Sequence, residues 1–263
     1  MRAFVAVILL ALSGLGQAAI KTEEIPYKSP DGTQLIGYYA YDDAIKGQRP
    51  GVVVVHEWWG LNDYTKRRAR DLAALGYSAL AIDMYGDGKN TEHPKDAMAF
   101  MQAALKDSAA SSARFKAGLD LLKQQPQTNP DKVAAIGYCF GGAVVLNAAR
   151  QGVPLAGVVS FHGALATRTP AEPGKVKAKI LVEHGALDSM VTAENVVAFK
   201  NEMDKAGADY SFVSLEGAKH GFSNPDADRL GHGDHGGPDI GYNKAADDKS
   251  WADMQAFFKK IFG

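Results

Sequence analysis

One short stretch constrains this chain more than any other: Lys132-Val-Ala-Ala-Ile-Gly-Tyr-Cys-Phe-Gly-Gly-Ala-Val-Val-Leu146. Its apolar start, Val133 to Ile136, reads as a buried strand. A turn follows at Gly137-Tyr138-Cys139-Phe140-Gly141, and then an apolar helix-like run. A glycine stands two residues to each side of Cys139, the single cysteine of the chain. This is the frame of a nucleophile elbow, with cysteine where serine is more usual. The reason is steric. The central residue is strained in a tight strand-to-helix turn, and the neighbouring backbone tolerates only glycine on either side. The central side chain is thereby held out at the top of a sheet, beside the first N–H groups of a helix. No serine shares the frame, since Gly76-Tyr77-Ser78-Ala79-Leu80 lacks the second glycine.

The elements around this stretch alternate. Ile20 to Lys28 and Thr33 to Tyr41 alternate apolar and polar residues about Ser29-Pro30-Asp31-Gly32, which predicts an antiparallel hairpin. Val52 to Val55 is continuously apolar, as a strand covered on both faces must be. Asn62 can cap a helix running to about Leu75, with Tyr77 to Ile82 the next strand. Lys95 to Leu122 is helical with a break near Asp107 to Ser112, and Phe140 to Arg150 is a helix. Leu155 to Phe161, Ala178 to Glu183 and Tyr210 to Leu215 are strands; Thr192 to Ala206 and Ala245 to Phe262 are helices. The expected fold class is α/β: a mostly parallel central sheet of about eight strands with helices on both faces and no large lid domain. The least ordered stretch is expected at Asn224 to Gly241, rich in Gly, Asp and His.

Composition sets the outer limits. With 263 residues, 46% of them hydrophobic, the chain supports one large core. A net charge of −1 offers no basic footprint, so no nucleic-acid partner is expected. The run Lys66 to Arg70 reads as the solvated face of a helix. Residues 1–19 read as a secretory signal peptide: Met1-Arg2, an apolar run to Leu12, then small residues, with cleavage near Ala18/Ala19. The expectation is a mature domain over residues 20–263, periplasmic or secreted and without a membrane span; the sequence does not fix the oligomeric state, and a monomer is favoured. A lone cysteine forms no internal disulfide, so an exported Cys139 is either buried or reactive.

Ligands bind at the carboxyl ends of the strands in such sheets. Five residues follow strands there: Glu57, Asp83, Cys139, Asp188 and His220. Cys139 is the candidate nucleophile, its thiolate favoured by a helix N-terminus or a nearby imidazolium. His220, in Gly217-Ala218-Lys219-His220-Gly221-Phe222, is the candidate base. Asp188, just past the preceding strand, can fix the imidazole tautomer. Nucleophile, acid and base then stand in the chain order expected of an α/β-hydrolase. Glu57, in His56-Glu57-Trp58-Trp59-Gly60, is a partly desolvated carboxylate. The backbone N–H groups of Trp58 and Phe140 are placed to be the two oxyanion donors. Asp83 is as well read as structural. His232-Gly-Asp234-His235 carries zinc-type ligands without a spacing signature and is read as a surface insertion, so no metal is expected.

Together these residues resemble the dienelactone hydrolase family (carboxymethylenebutenolidases), a branch of the α/β-hydrolases. The matching motifs are His56-Glu57-Trp-Trp-Gly60, Ala81-Ile-Asp83-Met-Tyr85-Gly86, Ile136-Gly-Tyr-Cys139-Phe-Gly-Gly142, His184-Gly-Ala-Leu-Asp188 and His220-Gly-Phe222, and the likeness covers about Ile20 to Gly263. The resemblance implies a Cys139–His220–Asp188 triad, with Glu57 contacting the resting thiol and helping to form the thiolate. It implies hydrolysis of a small ester or lactone through a thioester, without cofactor. Trp59, Tyr85, Tyr138 and Phe222 are the candidate pocket residues. Two departures stand out. Where the family carries substrate-holding arginines, this chain has Asp87-Gly88-Lys89 and Ser223-Asn224; Lys89 and Arg229 are the available cations. The stretch Gly231 to Pro238 looks inserted. The alternatives are a non-catalytic small-molecule binder on the same fold and a hydrolase of amides or peptides.

Overall fold

The computed structural model of this chain describes residues 20–231 and 238–263. The segment read as an export signal and the trio His232, Asp234 and His235 lie outside the described residues.

The chain opens with strands β1 (Ile20–Lys28), β2 (Gln34–Asp42) and β3 (Arg49–Val55), then helix α1 (Asp63–Ala74) and β4 (Ser78–Ile82). Helices α2 (Pro94–Lys106) and α3 (Ser108–Lys123) lead to β5 (Thr128–Tyr138), α4 (Phe140–Arg150) and β6 (Gly157–Phe161). The remainder is β7 (Lys179–Gly185), α5 (Ala193–Ala206), β8 (Tyr210–Leu215), α6 (Ala227–Gly231) and α7 (Lys244–Phe262). The eight strands form one sheet in the order β1-β2-β4-β3-β5-β6-β7-β8. The β1–β2 and β2–β4 pairs are antiparallel, and every pair from β4 to β8 is parallel. This is the expected α/β architecture.

Two apolar layers bury the sheet. In β3, Val53 and Val55 face a layer built with α3, α4 and α5, while Val52 and Val54 face a layer built with α1 and α7. That two-sided cover explains the unbroken valine run, because alternate side chains both need apolar contact. Asn62 caps α1 by accepting from the Thr65 N–H at 3.2 Å. The long helical region breaks at Asp107, whose extended backbone frees its carboxylate to cap Ala109 and Ala110.

The differences are local. β5 begins at Thr128, before its apolar run, because its polar first residues pair with Arg49 and Pro50 across a register shift. β7 continues past Glu183 to Gly185. The stretch expected to be least ordered contains a short helix, α6, and Asn224 within it is only 1% exposed. Its backbone N–H donates to Gly221 O at 3.0 Å, a tight turn the composition did not announce.

Candidate active site

β5 delivers Cys139 to the carboxyl edge of the sheet, and α4 begins one residue later. The cysteine backbone has φ 53° and ψ −114°, a strained conformation for a non-glycine residue. Its N–H donates to Phe161 O at 3.0 Å, which anchors the turn to β6. The flanking glycines are obligatory for space. A Cβ on Gly137 would run into the Gly141 carbonyl, and one on Gly141 would meet the Val55 carbonyl at the end of β3. Cys139 remains partly accessible.

The next two groups arrive from β7 and β8. Asp188 follows β7, and its Oδ1 accepts the N–H groups of Met190 and Val191 at 2.9 and 3.1 Å. Its Oδ2 accepts from His220 Nδ1 at 2.8 Å. The two segments lie close because Gly185 has no side chain; a Cβ there would sit 2.6 Å from Ala218 O. Behind His220, Gly241 N–H donates to the His220 carbonyl at 3.0 Å. With Nδ1–H given to Asp188, Nε2 is left as the free nitrogen, and it has no partner among the described residues. Burial alone would lower the His220 pKa, but the charge of Cys139 and the bond to Asp188 outweigh it and push it up to about 10.

Glu57 follows β3 and is 4% exposed. Burial raises its pKa to about 7, against the opposing effects of Asn224, His220 and Arg68. Glu57 was expected to contact the Cys139 thiol; the side-chain hydrogen bond it makes among the described residues is accepted by Oε2 from Asn224 Nδ2 at 2.6 Å. The amide is oriented for this, since Asn224 Oδ1 already accepts from the Asp226 N–H at 3.0 Å.

The Trp58 and Phe140 N–H groups donate to no acceptor among the described residues, and the Tyr85 hydroxyl donates to Trp58 O at 3.1 Å. Tyr85 and Phe140 pack 5.5 Å apart between ring centroids. Three residues expected in the pocket are not on an accessible wall. Trp59, Tyr138 and Phe222 are fully buried, and Tyr138 stacks on Phe161 at 4.8 Å in the layer beneath the sheet edge. A side chain closed to water offers no surface to a ligand, so these three back the site.

Asp83 is a loop anchor, accepting the N–H groups of Tyr85, Gly86 and Gly88 at 2.7 to 2.8 Å. The two available cations are engaged. Arg229 forms a two-pronged pair with Glu92 at 2.8 and 2.9 Å, and Lys89 pairs with Asp87 at 3.7 Å. Arg229, Glu92 and Asn224 line a polar cavity of about 250 Å³.

The structure adds a histidine that the list of strand-end residues omitted. His162 follows β6 directly and is fully buried, 5.2 Å from the His220 ring between centroids. The same rule, a polar residue just past a predicted strand, applied to Phe161-His162-Gly163. Its hydrogen-bond partner Ser223, and the Tyr64 and Arg68 side chains behind that serine, carry no sequence signal because they come from segments far apart in the chain.

A family profile described as "Dienelactone hydrolase family" matches residues 36–262. The chain is 29% identical over 235 residues to "Protein usf" of Aquifex pyrophilus, covering 88% of this chain and 95% of that protein. Among solved structures, it is similar to a dienelactone hydrolase-like promiscuous phosphotriesterase from metagenomic libraries. The TM-score is 0.86 at 38% identity, covering 93% of this chain and all of the other. A dienelactone hydrolase of Anabaena variabilis shares the fold at TM-score 0.61 and 19% identity, over 90% and 98% of the two chains.

Proposed function

The chain belongs to the dienelactone hydrolase family, and from that premise we propose that it hydrolyses small carboxylic esters or lactones through a thioester on Cys139. His220 Nε2 takes the thiol proton, and the thiolate attacks the substrate carbonyl carbon. The carbonyl oxygen, now negative, accepts from the Trp58 and Phe140 N–H groups. Collapse breaks the carbon–oxygen bond, and His220 returns the proton to the departing alkoxide. In a lactone that alcohol stays tethered to the acyl group. Water then attacks the thioester with His220 taking its proton; the carbon–sulfur bond breaks, and the acid and free thiol result. Asp188 holds the ring through Nδ1 and steadies the imidazolium. In this reading Glu57, held by Asn224 in the resting structure, is the second carboxyl and assists thiolate formation when substrate binds.

The observation that carries this reading is the Asp188–His220 bond at 2.8 Å, which reserves Nε2 for proton exchange beside a strained, partly accessible Cys139. The test is a panel of short activated esters and lactones under reducing conditions. A neutral phosphotriester joins the panel because the metagenomic neighbour is described as a promiscuous phosphotriesterase. Cys139→Ala should abolish ester turnover, and His220→Ala should lower kcat by roughly 10³-fold or more. Acid quenching should trap an acyl adduct on Cys139, seen by mass spectrometry. Full activity in Cys139→Ala overturns the proposal. Export remains part of it: N-terminal sequencing of the native protein should start next to Ala18 or Ala19.

A further inference from the structure

We propose that His162 is a positioning residue for the reaction above, holding the His220 imidazole from the side that Asp188 does not reach. The proposal rests on the hydrolase reading for its role in turnover, but its geometry is independent of that reading.

His220 is anchored at Nδ1 by its bond to Asp188, and its other nitrogen faces only the Cys139 thiol with which it exchanges a proton. One bond at Nδ1 leaves the ring free to swing about that contact. The neighbouring ring that limits the swing is His162, at 5.2 Å with planes 63° apart. His162 is itself fixed on several sides. Its backbone N–H donates to Glu183 O at 2.8 Å, and Phe222 packs edge-on against its ring at 5.0 Å. Its φ is 39°, left-handed and unfavourable for a histidine. Strain of this kind persists only where the surroundings over-determine it, and it concentrates at working sites.

A chain of hydrogen bonds sets the direction in which His162 can bond. Arg68 can only donate, and its Nε reaches the Tyr64 oxygen at 3.4 Å. The Tyr64 hydroxyl has one other neighbour, Ser223 Oγ at 2.7 Å, so its proton goes there. Ser223 then gives its own proton to His162 Nε2 at 2.8 Å. This order uses every hydroxyl proton in the buried chain and leaves one polar group, the His162 Nδ1–H, without a partner among the described residues. The reverse order leaves two, the Tyr64 O–H and the bare Nδ1, and each such group costs about 1–3 kcal/mol. His162 is thus neutral, with its proton on Nδ1. Burial and the charges of His220 and Arg68 also keep its pKa well below the ordinary value. A neutral ring suits the place. The groups that act on His220 are Asp188, Cys139, Glu57 and His184, and a second cation at His162 would oppose its protonation.

Three measurements test this. In wild-type protein with ¹⁵N-labelled histidine, His162 should show the neutral Nδ1–H form throughout pH 5 to 9; titration in that range or the Nε2–H form overturns the chain as drawn. His162→Ala removes the wall, so kcat should fall on the order of 10²-fold with KM within about twofold, the signature of a misplaced catalytic group. His162→Phe, which restores a ring, should recover part of that loss. A folded His162→Ala variant with kcat within twofold of wild type overturns the proposal. Ser223→Ala keeps the ring but removes its orienting donor, so His162 should acquire Nε2–H character in the same spectra. An unchanged tautomer there also counts against it. The readout independent of turnover is alkylation of Cys139 by iodoacetamide, which His162→Ala should slow about tenfold at pH 7 by weakening the thiolate–imidazolium pair. If wild type hydrolyses no ester, the functional reading fails while the tautomer and alkylation results still decide the role of His162.

Discussion

At the residue scale the charge of Glu57 is governed by a neutral partner. Burial pushes its pKa up to about 7, and the Asn224 amide is the main group opposing that rise. An amide donor favours the carboxylate by a charge-assisted bond, worth about 1.5–3 kcal/mol. Replacing it with an apolar side chain of similar size therefore raises the pKa further. In Asn224→Leu the rise of ester hydrolysis through pH 7 should move upward by on the order of one pH unit, since 1.4 kcal/mol corresponds to one unit. A pH–rate profile superimposable on that of wild type would exclude Glu57 from the ionisation that controls activity. Glu57 was legible because it ends a buried strand between His56 and Trp58. Its partner was not, because Asn224 is 167 residues away in a stretch without periodicity, and turns such as Gly221-to-Asn224 leave no hydrophobic signature. The cysteine and aspartate were legible as positions for the same reason as Glu57, each following a strand with a clear apolar run, while His220 was legible from its place after the last strand, Tyr210–Leu215.

At the element scale the contacts between strand ends and helix starts carry the precision. Gly141 lets α4 sit against the last carbonyl groups of β3, where a methyl group would meet the Val55 and His56 oxygens. Backbone cannot move aside as a side-chain tip can. Gly141→Ala should cost about 3 kcal/mol or more in urea unfolding; a loss below about 1 kcal/mol would mean the elbow relaxes and is not sterically fixed. The sequence frame made this glycine predictable. It did not reveal Glu183. Reading β7 as ending there treated it as a polar strand end, whereas two further residues pair and Glu183 is fully buried. Neither carboxyl oxygen has a partner among the described residues. By alternation it faces the layer of α1 and α7. Burial raises its pKa from 4.5 to about 8, Asp253 adds to the rise and Lys249 opposes it. Between pH 4.5 and 8 the folded state binds this proton more tightly than the unfolded chain, so the group lowers stability as pH rises. Glu183→Met should match wild type near pH 5 and exceed it at pH 8 by on the order of 3 kcal/mol. Parallel stability curves for the two proteins would show that Glu183 is ionised and paired when folded.

At the scale of the whole molecule, the mostly parallel sheet and the helices on both its faces were legible because strand–helix alternation admits few topologies. What alternation cannot give is how the layers are tied together beneath the site. Arg68 of α1 pairs with Asp247 of α7, with side chains only 5% and 11% exposed. Its Nη2 also donates to Ser223 O at 2.8 Å, in the loop that carries His220, and its guanidinium lies 4.9 Å from the Trp251 ring centroid. One cation thus joins an early helix, the last helix and the histidine loop. In the sequence it sat inside Lys66 to Arg70, read as a solvated face, because a charge run does not show which member turns inward. Breaking a buried pair on one side leaves an uncompensated charge and typically costs 3–5 kcal/mol, whereas replacing both members with apolar residues is often neutral. Asp247→Ala should therefore destabilise the protein by roughly 3–5 kcal/mol, and Arg68→Met with Asp247→Leu should regain most of it. The double variant should still lose activity, because Ser223 O and the Tyr64 hydroxyl lose their shared donor. Stability regained together with wild-type kcat would separate this ion pair from the site and leave it a purely structural tie.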